Sequence, residues 1–186
     1  PAGRYTDVEL RDDGAVVLHN GARVDLGGFA KGWTVDNCEE LLSGCESWVL
    51  NAGGDLLARG PGATGEGWLV GIEDPFDRSR DIGVLLARDC AVATSSRMRR
   101  RWMTQLGPAH HIIDPATGRP ADTGLASVTV VARSSAEAEV LAKVLFLLGP
   151  RGGPRYLETQ DGPGAVFILD DGSDVWTDAA RRVRVS

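Results

Sequence analysis

The sequence predicts an α+β fold, with mixed or antiparallel sheets and two main helices. Short apolar, often β-branched runs recur between Gly, Pro and Asp-Gly breaks, which reads as many short strands. Apolar residues at helical period follow Ala30 and, again, Ser134. No repeat, low-complexity stretch or linker divides the 186 residues, so residues 1–186 read as a single domain.

Taken in order, residues 5 to 10 and 15 to 18 flank Asp13-Gly14 and predict a hairpin. Asn20-Gly21 turns the chain into an extended Val24-Asp25-Leu26, which Gly27-Gly28 ends. From Ala30, residues Trp33, Val35, Leu41 and Leu42 fit one amphipathic helix ending near Gly44. Strands are expected at 48–50, 56–59, 68–72, 82–87 and 90–93, with a Gly- and Pro-rich loop over 60–67. Residues 94 to 111 read as irregular. Ser127 to Ala132 is a β-branched strand. Ser134 or Ser135 caps a helix that runs to Leu148 and stops at Gly149-Pro150. Strands at 165–170 and 183–185 close the chain.

Composition narrows the function classes. Apolar residues make up 42% and charged residues 25%, the balance of an ordinary globular chain. A net charge of −6 is wrong for a general nucleic-acid or anionic-membrane binder, and the basic cluster Arg97 to Arg101 is short. No run of about 18 apolar residues is present to span a membrane. Cys38, Cys45 and Cys90 lack metal-ligand spacing and read as free thiols. The chain starts at Pro1 without Met and reads as a fragment or processed form, which leaves its compartment open.

Four segments carry more glycine and polar residues than folding alone needs. In Asp25-Leu26-Gly27-Gly28-Phe29-Ala30-Lys31-Gly32, glycines at a strand-to-helix junction let backbone N–H groups approach an anion, and Lys31 adds a cation. Asn51-Ala52-Gly53-Gly54-Asp55 ends a strand in bare backbone able to receive a ring or phosphate. Ala93-Thr94-Ser95-Ser96 puts small hydroxyls after a strand. His111, shortly before the Asp114-Pro115 turn, has the side chain for acid–base work near neutral pH. Taken singly, each also reads as a tight turn or a structural residue.

Together these segments resemble the FAD:protein FMN transferase (ApbE) family. Its ordered elements LGG-x-AKG, NAGGD, W-x-VGI-x-DP, ATS, HIIDP-x-TG-x-P, SVTV and LF-x-LG stand here at 26–32, 51–55, 68–75, 93–95, 111–120, 127–130 and 145–149. The resemblance implies that FAD binds with Mg²⁺ and that FMN passes to a Thr or Ser of an acceptor flavoprotein, releasing AMP. Some members instead hydrolyse FAD. It implies flavin contacts from Gly28, Lys31, Asp36, Asn51, Gly53, Gly54, Asp55, Thr94 and Ser95, and a catalytic or flavin-contacting His111 in a loop shaped by Asp114, Thr117 and Gly118. It also implies a metal held by the Ala30 backbone and the late helix.

The late helix departs from the family's AD-x-LAT-x-LF. Glu139 stands for the Asp and Lys143 for the Thr, four residues apart on one helix face. Glu139 can ligate Mg²⁺, but an ammonium has no lone pair to offer. Lys143 is therefore expected to occupy or crowd the metal position and pair with Glu139, the alternative being that it swings to solvent. In addition, 25 residues precede Leu26, where full family members carry a much longer stretch. Two functions follow from the resemblance: flavin transfer (or FAD hydrolysis), favoured by His111 and residues 51–55, and FAD or nucleotide binding without chemistry, favoured by Lys143. The first is taken as the main expectation.

Overall fold

A computed structural model of the chain describes residues 4–105 and 107–185. A 3₁₀ turn precedes the first hairpin, β1 (Val8–Leu10) and β2 (Val16–Leu18). Helix α1 (Ala30–Asn37) leads to β3 (Trp48–Ala52), β4 (Asp55–Arg59), β5 (Trp68–Glu73), β6 (Asp81–Ala87) and β7 (Cys90–Ser96). Two small hairpins follow: β8 (Arg101–Thr104) with β9 (Gly107–His110), and β10 (Ile113–Asp114) with β11 (Arg119–Pro120). Strand β12 (Leu125–Ala132) and helix α2 (Ser135–Leu157) come next. The chain closes with β13 (Gly164–Leu169), β14 (Asp174–Trp176), α3 (Asp178–Arg182) and β15 (Arg184–Val185).

Every described strand pairing is antiparallel. The central sheet has six strands in the order β14-β13-β12-β7-β4-β3, and a second sheet has the order β15-β6-β5. Side chains of the central sheet alternate between two cores. Leu57, Ala91, Ala93, Val128, Val130 and Phe167 face α1 and α2, where Val35, Leu145 and Phe146 meet them. Leu56, Ala58, Val92, Val166 and Ile168 face the second sheet and meet Ile72, Leu85 and Ala87. The result is three layers: helices, central sheet, small sheet.

The two helices are tied at one point. Gly32 of α1 lies so close to the start of α2 that a Cβ there would stand 2.5 Å from the Ser135 carbonyl oxygen. Beside it, Asp36 accepts hydrogen bonds from the amides of Ser135 (2.7 Å) and Ala136 (2.9 Å), two donors with no partner inside α2. The Ser134 hydroxyl accepts from the Glu137 amide as the sequence-expected N-cap. Helix α2 breaks where Gly149-Pro150 predicts, with Gly149 at φ 74°, ψ −178°, and a second helical segment runs on to Leu157.

Several expectations are corrected. Val24-Asp25-Leu26 is not a strand, because none of the described strands pairs with it and its side chains stay exposed. The helix begun at Ala30 ends at Asn37, and a separate 3₁₀ turn at Glu40–Leu42 completes the path to Gly44. Residues 94 to 111 are more regular than expected. β7 runs on to Ser96 because β12 pairs with it, and β8, exposed throughout, forms a hairpin with β9. β14 and α3 went unrecognised because each is very short, although Thr177 caps α3 by accepting from the Ala180 amide.

Candidate functional site

At one end of the central sheet, the register of two strands sets a row of hydroxyls. Ser127, Val128 and Thr129 of β12 lie opposite Ser96, Ser95 and Thr94 of β7. Thr94 and Thr129 thus share one face and join hydroxyl to hydroxyl at 2.9 Å. The β3–β4 turn reaches the same end. Gly53 (φ 68°) and Gly54 (φ 103°) hold conformations that side chains rarely adopt, and the Gly54 amide donates to Asn51 Oδ1 at 2.8 Å.

A cleft wraps around this end of the sheet in two arms that share Gly53, Thr94, Ser96 and Arg99. The larger arm, about 540 Å³, lies on the small-sheet side. Asn51, Gly54, Ser127 and Thr129 give it polar surface; Leu56, Val70 and Trp68 give it apolar walls. Ser127 is 2% exposed, and its hydroxyl has no hydrogen-bond partner among the described residues. A volume of this size suits a drug-sized ligand with a few placed polar groups.

The smaller arm, about 80 Å³, lies on the helix side and is lined by charge. Glu139 and Lys143 of α2, Lys31 of α1 and Asp55 at the start of β4 meet there, with Arg99, Arg100 and His111 alongside. Glu139 is 1% exposed. Its Oε2 accepts from the Gly32 amide at 2.8 Å, and its Oε1 accepts from Lys143 Nζ at 3.2 Å, with Lys31 Nζ 3.5 Å away. Lys143 Nζ also donates to the Glu139 carbonyl at 3.2 Å. Asp55, 3% exposed, takes a very close ion pair from Lys31.

These contacts set opposite titration behaviour for the two carboxylates. Burial raises Asp55 above its ordinary range, although the Lys31 ammonium opposes it. Burial also acts to raise Glu139, yet the Gly32 amide and the Lys143 and Lys31 charges outweigh it and hold Glu139 low. His111 sits below its ordinary 6.5, chiefly through burial of its ring, with the charges of Arg100 and Lys143 adding to the effect and a hydrogen bond to the Arg100 backbone opposing it. A neutral imidazole at pH 7 is a ready proton acceptor. The neighbouring His110 is 8% exposed and bonded to the Ala121 carbonyl at 3.0 Å, which makes it part of the frame.

Of the residues singled out from sequence, Lys31, Gly53, Asp55, Thr94, Ser95, His111, Glu139 and Lys143 converge on the smaller arm, and Asn51, Gly53, Gly54 and Thr94 line the larger one. Asp36 is not brought to the cleft, because both its carboxylate oxygens are committed to capping α2. Gly28 does not line either arm; it lies against the Lys143 stem, where an added Cβ would stand 3.0 Å from Cε. Asp114, Thr117 and Gly118 form a self-contained turn. Asp114 accepts from the Ala116 amide (2.9 Å) and the Thr117 hydroxyl (3.2 Å), and Gly118 has φ 68°. The Ala30 carbonyl accepts from the Thr34 hydroxyl at 2.7 Å. Sequence reasoning had Ser96 within its hydroxyl segment but gave no site role to Ser127, Thr129 or Trp68, and left Arg99 and Arg100 as a bare basic cluster. The Ser-Val-Thr-Val alternation was the available signal for Ser127 and Thr129, since it puts both on one face.

The chain is 35% identical over 162 residues to the FAD:protein FMN transferase of Treponema pallidum (strain Nichols), covering 81% of this chain and 45% of that protein. It is 34% identical over 153 residues to the Vibrio cholerae protein of the same name, covering 80% and 46%. It therefore spans about half the length of the curated relatives it matches. The crystal structure of the ApbE protein from Thermotoga maritima superposes with a TM-score of 0.85 at 28% identity, covering 98% of this chain and 60% of that one. The flavin transferase ApbE from Vibrio cholerae gives a TM-score of 0.80 at 28% identity, covering 96% and 58%. The ApbE family model matches residues 2–168, and the chain belongs to the ApbE family.

Proposed function

We propose that this chain is the FAD-handling portion of an FAD:protein FMN transferase. The observation that carries the reading is the joining of two unlike arms at Thr94 and Arg99: a roomy one with hydroxyl and apolar walls, and a tight one lined by Lys31, Lys143, Arg100 and His111. FAD has the matching anatomy, with planar rings at its ends and a doubly charged pyrophosphate between them. In this reading the pyrophosphate lies in the smaller arm and a ring system in the larger.

The chemistry follows from those placements. The hydroxyl oxygen of an acceptor Thr or Ser attacks the phosphorus nearest riboflavin. A new phosphoester bond forms, the bond to the bridging oxygen breaks, and AMP leaves with that electron pair. The hydroxyl proton goes to His111, which its surroundings keep neutral and receptive. Lys31, Lys143 and the arginines offset charge on the phosphoryl oxygens as it builds. Thr94 and the bare Gly53 backbone stand where the two arms meet and would hold the ligand in line.

The expected products are FMN attached to the acceptor and free AMP. The test mixes the chain with FAD and an acceptor flavoprotein segment bearing Thr or Ser, then reads flavin fluorescence on the acceptor and AMP by chromatography. FAD binding with neither AMP release nor labelling would favour a second reading, FAD binding without transfer, which the Glu139–Lys143 pair supports. No FAD binding at all would overturn both.

A further inference from the structure

We infer that the smaller arm holds its anionic ligand with the chain's own cationic groups, the Lys143 ammonium donor above all, and takes FAD without a divalent cation. The inference rests on the reading of the cleft as an FAD site and specifies how that site is charged.

The oxygens available for a metal are already committed. Glu139 Oε2 holds the Gly32 amide, and Oε1 faces Lys143 Nζ at 3.2 Å with Lys31 Nζ 3.5 Å away. Asp55 is engaged by Lys31, and the Ala30 carbonyl takes the Thr34 hydroxyl. Mg²⁺ needs six oxygens in a near-octahedral shell at about 2.0–2.1 Å. Placing it on Oε1 would set a double positive charge against two ammonium groups at short range. Among the described residues, no group of three or more His, Cys, Asp or Glu is gathered to hold a metal ion. The residues present do not fit Mg²⁺.

Lys143 is anchored rather than free. Its stem crosses Gly28, and its Nζ has two acceptors on Glu139, the side-chain oxygen and the backbone carbonyl. The side chain is still 30% exposed, which leaves part of it open to the cleft. An ammonium has three donors, so one remains for a phosphate oxygen. The two carboxylates balance the two ammonium groups, so the arm's surplus positive charge comes from the Arg100 that lines it, and Lys143 presents its third N–H donor beside the bound anion.

Two titrations test this on the full chain. In the first, Mg²⁺ alone is added and heat is measured. The wild type is expected to show no saturable binding, while Lys143→Thr, which frees Oε1 and adds an oxygen ligand, gains it. Saturable Mg²⁺ binding by the wild type that disappears in Glu139→Gln would overturn the inference. In the second, FAD binding is followed by fluorescence in EDTA and then in Mg²⁺. The wild-type Kd is expected to agree within about twofold, and Lys143→Met, which keeps the stem and loses the charge, to weaken binding by about 10- to 100-fold. Lys143→Arg is expected to recover most of that loss. An improvement of about tenfold or more on adding Mg²⁺ to the wild type would overturn the inference. If FAD binds under neither condition, the FAD reading fails, and the Mg²⁺ titration alone still decides the charge of the site.

Discussion

The two faces of the central sheet handle polar groups in opposite ways. On the helix face, Asp55 and Glu139 are almost wholly buried, and each is matched by ammonium or amide donors, Lys31 and Gly32 from remote segments and Lys143 from the next turn of α2. On the small-sheet face, Ser127 is equally buried and its hydroxyl has no partner among the described residues. A buried charge must be compensated inside the fold, because leaving it bare costs more than the fold can supply. A buried hydroxyl costs far less and can wait for a ligand. The helix face therefore has its buried carboxylates compensated, although the Ser135 hydroxyl is unpartnered there too among the described residues, and the small-sheet face is an incomplete hydrogen-bonding surface with room beside it.

The sharpest way to break the helix face is through its backbone. Gly32→Ala drives a methyl group into the first turn of α2, with the Ala136 nitrogen 2.6 Å away, and is expected to cost about 3 kcal/mol in denaturant unfolding. Glu139→Ala comes next, at about 2 kcal/mol, because it strips the Gly32 amide of its acceptor and leaves two ammonium groups facing each other. Asp36→Ala removes two capping bonds from α2 and is expected to cost about 1 kcal/mol while leaving FAD affinity unchanged. A large loss of affinity without loss of stability would return Asp36 to the ligand.

The small-sheet face should respond in the other direction. Ser127→Ala deletes an unsatisfied hydroxyl, so stability is expected to stay within about 0.5 kcal/mol of the parent or rise, while FAD binding weakens several-fold. Equal weakening of both would mean that the hydroxyl is part of the frame.

Acid sharpens the contrast further. His111 titrates below 6.5 in the folded chain, so as pH falls through that value the unfolded chain takes up the proton first. Stability tied to His111 is therefore present above the ordinary imidazole range and lost on descending through it towards the lower folded value. Thermal unfolding followed from pH 7.5 downward is expected to show a falling midpoint in the wild type and a flatter profile in His111→Asn, the smallest of these effects.

Five of the six strands of the central sheet, the break at Gly149-Pro150 and the order of the cleft segments could be read directly from sequence, because each rests on neighbours close along the chain. Alternation shows a strand, a proline stops a helix, and Glu139 and Lys143 at four-residue spacing share a face wherever that helix lies. By the same local logic, β8 was invisible, since a strand exposed on both faces has no apolar period.

What the sequence by itself determined about this protein is its α+β layout, its family and the chemical inventory of the cleft. Only the tertiary structure decided how that inventory is used. It turned Asp36 away to cap α2, separated the framework His110 from the cleft-facing His111, and brought Lys31 and Asp55 to Glu139 across 108 and 84 residues of chain. Burial, charge compensation and capping are settled between segments remote in sequence, so no local pattern records them.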